Sequence, residues 1–359
     1  MSKPLVLVDG SNWLYRAYFA LPPLKSPQGE PTGMVRGFAA MLKKLLKDYG
    51  IGPGEGRIAI VFDPPGDTWR NTIYDEYKAT RDATPEDLAS QFPQVRAWVE
   101  AMGLPMLQVA GEEADDVIGT LTRQARAQRV PVLIVTGDKD LAQLVNADVK
   151  LLDTMKNHTL GPAEVKEKFG VAPDRIVDYL ALIGDTSDNI PGVKGVGPKT
   201  AAKWLEEYGS LDALLAKAGD VPGKAGENLR AGLSQIPLAR KLVTIRDDLK
   251  LPLAPEALVP GAPDAARLAA LYQRLGFKTW LEELGAAGAP HPSPLPASGE
   301  REHVVAGSAK TRAETVLDEA ALQAMIKRLQ QAELISVDTE TDALDSMRAG
   351  LVGLSFAVE

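Results

Sequence analysis

The chain has 359 residues, of which 45% are hydrophobic and 25% charged, an ordinary globular composition with enough apolar side chains for two or three domains. It has no cysteine, so disulfides, thiolate metal sites and a cysteine nucleophile are excluded, and three histidines leave little scope for imidazole chemistry. The net charge of −8 runs against the basic surface that is usual for nucleic-acid binding, unless many acids bind cations. Any catalysis should therefore depend mainly on carboxylates.

The hydropathy pattern contains no membrane segment and no secretion signal. No apolar run approaches the ~18 to 20 residues that cross a bilayer, and the first residues reach Asp9 too early for a signal peptide. We therefore expect a cytoplasmic protein with no membrane partner. The sequence contains little information about assembly, and a monomer is the expectation.

Short β-branched runs alternate with longer amphipathic stretches in the first half of the chain. Four runs are typical of buried strands, with helix-like segments between them: 5–8, 58–62, 105–109 and 132–135. This alternation is typical of an α/β domain with a largely parallel sheet. From about Pro173 to about Leu284 the strand signal fades and short helical patterns dominate, which predicts a second, mainly helical region.

The composition changes abruptly after the helical region. Residues 286–311 begin with a stretch rich in Pro, Ala, Gly and Ser that has no periodicity, which predicts a flexible linker. A helix-like segment (318–332) and two strand-like segments (334–337 and 351–358) follow it. Residues 312–359 are too few to complete a domain of this kind, so we expect them to be the incomplete start of one.

Acidic residues follow nearly every predicted strand, and two more stand just inside the helical region. The carboxyl ends of parallel strands meet at one edge of a sheet, where ligands bind, so we expect these acids to lie close together. The nine carboxylates are Asp9, Asp63, Glu113, Asp115, Asp116, Asp138, Asp140, Asp185 and Asp188. A helix that starts at Glu113 would place Glu113 and Asp116 on one face, with Asp115 to the side.

Any one of these acids could be a helix cap, a turn residue or a solvated surface group, and Asp9 alone could belong only to a turn. The set is harder to explain in that way, because unpaired like charges at one sheet edge repel each other and bound cations remove the conflict. All-oxygen ligands select Mg²⁺ or Mn²⁺ rather than zinc. Two such ions about 4 Å apart can stabilise the attacking and leaving oxygens in phosphodiester cleavage.

Six segments resemble the successive motifs of one family: LVDGSNWLYRAY, VFDPPG, YKATR, GEEADDVIGTL, TGDKDLAQLV and GDTSDNIPGVKGVGPKTA. The family is the 5′ nuclease of bacterial polymerase I, a relative of flap endonucleases, and the resemblance covers about residues 3–285. It implies a PIN-like α/β domain with a central, mostly parallel sheet (1–172), followed by a helical helix-hairpin-helix region that binds DNA (173–285).

The resemblance also implies a metal centre, because none of the family's nine acidic positions is missing. Five acids would surround one ion: Asp9, Asp63, Glu113, Asp115 and Asp116. The other four would surround the second ion or its water shell: Asp138, Asp140, Asp185 and Asp188. The cofactors expected are therefore two Mg²⁺ or Mn²⁺ ions.

The stretch GVKGVGPKTA has glycines for a tight hairpin and then Pro198 at a suitable first helical position. It resembles a helix-hairpin-helix, in which backbone contacts a phosphate, directly or through a K⁺ ion, and lysines add charge. The DNA-binding residues implied are Gly192, Lys194, Gly195, Gly197 and Lys199. A Walker A loop is disfavoured because Pro198 stands where lysine should follow glycine, but a glycine-rich turn between two helices remains an alternative.

A polar stretch over residues 66–88 is too long for a routine connection between elements. By the resemblance it is the arch beneath which single-stranded 5′ ends pass, with Lys78 and Arg81 at the scissile phosphate and Tyr77 stacking near the flipped base. Arg16 would contact a further phosphate. The alternative for each side chain is a solvated position on an exposed helix.

The interpretation that follows is a divalent-metal-dependent 5′ nuclease that cuts DNA at 5′ ends, 5′ flaps and single-strand/duplex junctions. The resemblance implies roles in DNA replication, through primer removal, and in DNA repair. The segment at Asp338-Thr339-Glu340 resembles the first segment of a proofreading-type 3′ exonuclease domain. Two alternatives remain open: a DNA-binding scaffold in which the acids are structural, and a small RNase that uses the same acids, which the helical region disfavours.

Overall fold

The structure is a computed structural model that describes residues 3–287, 319–331, 335–341 and 351–358. The chain divides into two compact units, residues 1–291 and 292–359. The predicted linker falls mostly outside the described residues, although its first two positions end the last helix of the first unit.

The strands of the first unit are β1 (Leu5–Asp9), β2 (Arg57–Val61), β3 (Met106–Leu107), β4 (Val132–Val135), β5 (Val149–Asp153) and β6 (His158–Leu160). Its first seven helices are α1 (Gly10–Ala20), α2 (Gly33–Asp48), α3 (Trp69–Ile73), α4 (Glu86–Ala89), α5 (Phe92–Ala101), α6 (Ala114–Ala127) and α7 (Pro162–Phe169). The remaining helices are α8 (Ile176–Ile183), α9 (Pro198–Tyr208), α10 (Leu211–Ala216), α11 (Gly223–Gly232), α12 (Ile236–Val243), α13 (Ala265–Leu275) and α14 (Lys278–Ala287). Short 3-10 helices cover Asp140–Leu144, Pro173–Arg175 and Pro255–Ala257.

Six strands form one sheet in the order β3-β2-β1-β4-β5-β6. Neighbouring strands from β3 through β5 pair in parallel, and β6 is antiparallel to β5. The mostly parallel sheet predicted from the sequence is therefore confirmed. The sequence did not identify β5 and β6, because β5 contains Lys150 and Asp153 and β6 has two exposed residues. The third strand is shorter than predicted, with two residues instead of five.

Both faces of the central strand are buried, as its uninterrupted apolar sequence requires. Leu5 and Leu7 face the core that contains α6, and Val6 and Val8 face the core that contains α1 and α2. The apolar side chains of α8, α9 and α12 belong to the same core as α6. Helices α8, α9 and α12 are therefore packed continuously onto one face of the sheet.

The last two helices of the first unit return to the other face of the sheet. Leu268, Tyr272 and Leu275 of α13 pack in the core that contains α2 and α5. The indole Nε1 of Trp98 in α5 donates a hydrogen bond to the Tyr272 hydroxyl at 3.1 Å. Helices α13 and α14 thus cover the α/β part of the unit and leave α8 to α12 as the layer beside the acidic edge.

The described part of the second unit contains one helix and a two-stranded sheet. Helix α15 covers Glu319–Gln331, and β7 (Ile335–Thr341) pairs antiparallel with β8 (Leu351–Val358). The sequence predicted a helix and two strands at these places, and the structure confirms all three. In the ranges that the structure describes, no helix has the length and apolar character needed to span a membrane.

We predict that Gly119→Ala destabilises the protein although alanine favours helices. Gly119 lies within α6, where an added Cβ would be 2.6 Å from Ile245 Cγ2 and 2.8 Å from the Arg246 carbonyl oxygen. Forced overlap of this kind costs roughly 1–3 kcal/mol, which exceeds the gain of up to about 1 kcal/mol in helix propensity. Chemical unfolding would measure the difference.

Gly285→Ala in α14 is the matched control, because a Cβ there meets nothing within 4 Å. This variant should be as stable as the unsubstituted chain or slightly more so. A Gly119→Ala variant with undiminished unfolding free energy would contradict the close approach of residues 245–246 to α6.

Candidate active site

Seven of the nine predicted acids line one cavity of about 400 Å³ at the carboxyl edge of the sheet. They are Asp9, Asp63, Glu113, Asp115, Asp138, Asp140 and Asp188. The other two, Asp116 and Asp185, are buried, and each forms an ion pair. The parallel sheet thus brings together acids that are distant in the sequence.

Five acids of this cavity have no ion-pair partner in the described structure and are called the inner acids below: Asp9, Asp63, Asp115, Asp138 and Asp140. Backbone and hydroxyl hydrogen bonds orient two of them. Asp9 is the N-cap of α1 and accepts hydrogen bonds from the Asn12 amide at 2.9 Å and from Thr136 Oγ1 at 2.8 Å. Asp63 Oδ1 accepts from the Ala114 amide at the start of α6, at 2.8 Å. The carboxylates are therefore oriented by the ends of the strands and helices that carry them.

Burial and mutual repulsion disfavour the ionised forms of these acids. Burial, with a further contribution from the charges of Asp63 and Asp138, raises the pKa of Asp9 to about 7 against hydrogen bonds that lower it. Burial followed by the charges of neighbouring acids raises the pKa of Asp115 and of Asp140 well above the usual range. The inner cavity therefore has more carboxylate than the protein's own cations neutralise.

The cavity suits hard cations in its chemistry, although it is not a preformed coordination shell. Its donors are oxygen atoms, and Asp140 Oδ1 is buried without a hydrogen-bond partner in the described structure. Among the described residues, no three acids converge closely enough to form a metal site as they stand.

Side chains of the predicted arch pair with the outer acids of the cavity. Lys78 Nζ lies 2.9 Å from Glu113 Oε1 and 3.8 Å from Asp188 Oδ2, and Arg81 Nη2 lies 2.6 Å from Asp188 Oδ1. The Lys78 amide also donates to the Asp188 carbonyl at 3.0 Å. Lys78 has a φ of 58°, an uncommon value for a residue other than glycine, and this contact holds it there.

Tyr77 is buried, with 3% of its surface exposed. Its hydroxyl lies 3.0 Å from Glu113 Oε2 and 2.9 Å from Asp188 Oδ2, and it can donate to one of them at a time. The ring is therefore not available for base stacking in this arrangement of the arch. Stacking on Tyr77 would require residues 75–82 to move.

Arg16 does not line the cavity. Its Nη1 pairs with Asp153 Oδ1 at 2.7 Å, and an added Cβ on Gly137 would overlap the guanidinium. The contact to Asp153 was not predicted, because the sequence did not identify β5. Phosphate binding by Arg16 stays a prediction.

The predicted helix-hairpin-helix is confirmed as a fold element. Helices α8 and α9 are joined by residues 184–197, in which Gly184 and Gly195 have φ values of 71° and 73°. The backbones of Gly184 and Gly192 touch, so a side chain at either position would not fit. Gly197 precedes the first turn of α9.

The lysines of the hairpin are well placed for contact with a ligand. Lys194 and Lys199 are both exposed. Asn228 Nδ2 in α11 donates to the Lys194 carbonyl at 2.8 Å and supports the hairpin from behind. DNA binding by this set stays a prediction.

Sequence reasoning missed a buried arginine beside the cavity. Arg70 in α3 is 3% exposed and pairs with Asp116 at 2.7 Å. Burial alone would lower the pKa of Arg70, but the hydrogen bond and charge of Asp116 raise it. Nothing in the local sequence distinguishes this arginine from a solvated one, because its partners lie far away in the chain.

Comparison with family profiles divides the chain into three matches. Residues 4–170 match the N-terminal resolvase-like domain of 5′-3′ exonucleases, and residues 171–266 match the C-terminal SAM fold of the same enzymes. Residues 313–359 match a 3′-5′ exonuclease family. The first two matches together cover the sheet, the cavity and the hairpin.

Curated relatives are much longer than this chain. It is 46% identical to DNA polymerase I of Pseudomonas aeruginosa over 99% of its own length and 39% of that protein. It is 40% identical to the thermostable DNA polymerase I of Thermus thermophilus over 80% of its own length and 34% of that protein. The chain thus spans well under half the length of these relatives.

Solved structures share the fold at low sequence identity. T5 5′-exonuclease with bound divalent zinc ions has a TM-score of 0.57 and 20% identity, over 79% of this chain and 98% of that one. The catalytic core of Rad2 in complex with DNA substrate has a TM-score of 0.55 and 18% identity, over 79% of this chain and 91% of that one. The motif resemblance, the two exonuclease profiles and the fold agree: the chain belongs to the 5′-3′ exonuclease family of bacterial DNA polymerase I.

Proposed function

We propose that this chain is a structure-specific 5′ nuclease, acting as 5′-3′ exonuclease and flap endonuclease, that hydrolyses DNA phosphodiesters with two Mg²⁺ or Mn²⁺ ions. The observation that carries the proposal is the cavity at the sheet edge, which seven of the predicted carboxylates line. Five of them have no ion-pair partner in the described structure: Asp9, Asp63, Asp115, Asp138 and Asp140. Asp9 is buried, Asp115, Asp138 and Asp140 are half-buried and Asp63 is exposed. Such an excess of clustered negative charge favours cation binding.

These five acids would hold the metal ions. A divalent ion, once bound, supplies a water-derived nucleophile at neutral pH and offsets the charge that develops on the phosphate oxygens. Glu113 and Asp188 would join the set when Lys78 and Arg81 turn from them towards the scissile phosphate. In-line attack by water, without a covalent enzyme intermediate, leaves a 5′-phosphate and a 3′-hydroxyl.

Space for the single strand adjoins the acidic cavity. A second cavity of about 680 Å³ shares Asp63, Tyr77 and Lys78 with the first and is also bounded by Phe92 and Arg96. We infer that the single-stranded 5′ end occupies it beneath the arch. The duplex would lie on the hairpin, where a K⁺ ion bound to backbone carbonyls is a further candidate contact with phosphate.

The proposed setting is bacterial DNA polymerase I in the cytoplasm, where the substrates are DNA flaps, 5′ ends and junctions met in primer removal and repair. We propose that the chain acts as a monomer, because both the acidic cavity and the hairpin are built within the first unit.

Cleavage of a labelled 5′-flap DNA, with Mg²⁺ or with EDTA, tests the proposed activity. We expect metal-dependent products cut near the junction, resolved on a denaturing gel. Binding without cutting under both conditions would support a DNA-binding scaffold instead. Faster cutting of the matching RNA flap would favour the RNase alternative.

Asp115→Asn should nearly abolish metal-dependent cleavage. Changes in the outer-shell partners of metal ligands cost ~10–100-fold in affinity or activity, and loss of a ligand should cost more. Flap binding without metal should stay within about threefold, since Asp115 is half-buried within the acidic cavity. Single-turnover rates and fluorescence anisotropy provide the two measurements.

Asp220→Asn is the matched control, because Asp220 is exposed and does not line the cavity. It should retain full activity. Undiminished cleavage by Asp115→Asn would refute the assignment of the inner acids to the metal centre.

Lys78→Ala should slow turnover by roughly 100-fold, the cost of removing one preorganised group that stabilises transition-state charge. Lys166→Ala, an exposed lysine on α7, serves as the control and should leave the rate unchanged. Circular dichroism should show both variants folded. If Lys78→Ala turned over at the rate of the control, Lys78 would have only the structural contact with Glu113.

A further inference from the structure

A buried ion pair lies at the wall of the acidic cavity, where Arg70 lines the cavity and Asp116 does not. Arg70 Nη1 is 2.7 Å from Asp116 Oδ2, and Arg70 Nη2 is 3.0 Å from Asp116 Oδ1, so the contact is two-pronged. Arg70 is 3% exposed and Asp116 is fully buried. Asp116 does not line the cavity, whereas its neighbour Asp115 does.

Each carboxylate oxygen of Asp116 already accepts two hydrogen bonds. Besides Arg70, Oδ2 accepts a hydrogen bond from the Trp69 indole at 2.9 Å, and Oδ1 accepts one from the Arg246 amide at 2.9 Å. These four donors saturate the lone pairs that a carboxylate offers. Glu113 also accepts from four donors, but it lines the cavity and one of its donors is the partly exposed Lys78. Asp116 is fully buried and does not line the cavity, so a metal ion could bind it only by displacing a charged, buried partner, which is costly.

All five N–H donors of Arg70 also have acceptors. Two of them donate to Asp116, and a third donates to Glu113 Oε2 at 3.3 Å. The remaining two reach backbone carbonyls at the end of α12: Nε donates to Leu242 at 2.8 Å and Nη2 to Thr244 at 3.3 Å. One side chain thus joins the start of the arch, the acid-bearing end of α6 and the end of α12.

The segment that Arg70 binds also reaches the opposite wall of the cavity. Leu242, Val243 and Ile245 line the cavity itself. Gln143, in the 3-10 helix that starts at Asp140, donates to the Val243 carbonyl at 3.0 Å and accepts from the Ile245 amide at 3.0 Å. The segment 242–246 therefore connects the Glu113 side of the cavity to the Asp140 side.

We propose that Asp116 is not a metal ligand and that Arg70 and Asp116 are positioning residues. They fix the position of Glu113 and of the arch relative to residues 242–246. The inference rests on the proposed nuclease function and revises one of the nine metal ligands predicted from the sequence. A buried ion pair adds little net stability compared with well-packed apolar residues. Its contribution here is the fixed geometry of groups on both walls of the cavity.

Calorimetric titration of the whole chain with Mn²⁺ tests the first half of the proposal. Asp116→Asn should bind the same number of ions as the unsubstituted chain, with a Kd within about threefold, whereas Asp115→Asn should bind at least tenfold more weakly. Tenfold weaker binding or the loss of one ion in Asp116→Asn would overturn this inference alone. An unsubstituted chain that binds no Mn²⁺ would overturn the proposed function, and this inference with it.

Kinetics of Arg70→Gln test the second half. We expect kcat to fall at least tenfold, while the Mg²⁺ concentration for half-maximal rate and KM for flap DNA stay within about threefold. Arg70→Lys should not restore kcat, because an ammonium group cannot reach acceptors on three segments at once. A tenfold shift in the Mg²⁺ requirement would indicate a metal-site defect and contradict positioning.

General destabilisation needs its own control. Leu268→Ala removes a buried side chain of α13 in the other core, far from Arg70. Assayed at a temperature where both variants are folded, Leu268→Ala should retain the unsubstituted kcat. If kcat of Leu268→Ala decreased as much as kcat of Arg70→Gln, loss of stability would explain both decreases and would contradict the positioning role.

Discussion

Repulsion among carboxylates clustered at one sheet edge is the constraint on which the rest of this structure depends. The parallel sheet delivers Asp9, Asp63 and Asp138 to the same edge, and burial with mutual charge raises the pKa of Asp9 to about 7. An acid whose pKa rises on folding contributes stability at low pH that is lost as pH increases, here across the window from 3.8 to about 7. Without cations, the fold is therefore opposed by its own active-site charge at neutral pH.

The protein's own cations balance only the periphery of this cluster. Lys139 pairs with Asp185, Arg81 with Asp188 and Arg70 with Asp116, and the inner acids have no such partner in the described structure. The proposed metal centre would account for the net charge of −8, because bound cations would offset these uncompensated acids. Lys78 and Arg81 pair with Glu113 and Asp188 in the structure, but by our proposal they contact a phosphate during catalysis. The acids and the phosphate would therefore compete for these two side chains.

Sequence reasoning found the parts of the site that follow from local pattern and missed the parts that depend on long-range packing. Apolar runs that end in acids were enough to predict the sheet edge and its carboxylates. The helical periodicity correctly placed Glu113 and Asp116 on one face of α6, but that face contacts Arg70, and Asp115 is the residue that lines the cavity. Arg70 could not be identified, because its acceptors lie at positions 113, 116, 242 and 244.

The most direct test of this account is the thermal unfolding midpoint of the chain at pH 8, measured against Mg²⁺ concentration with NaCl at matched ionic strength as reference. A cation that binds only the folded state contributes ~2.7 kcal/mol at 100 times its Kd, equivalent to several degrees for a unit of this size. We predict a saturable rise of that order with Mg²⁺ and none with NaCl. An unfolding midpoint that does not respond to Mg²⁺ would contradict the claim that the clustered acids are a site for divalent cations.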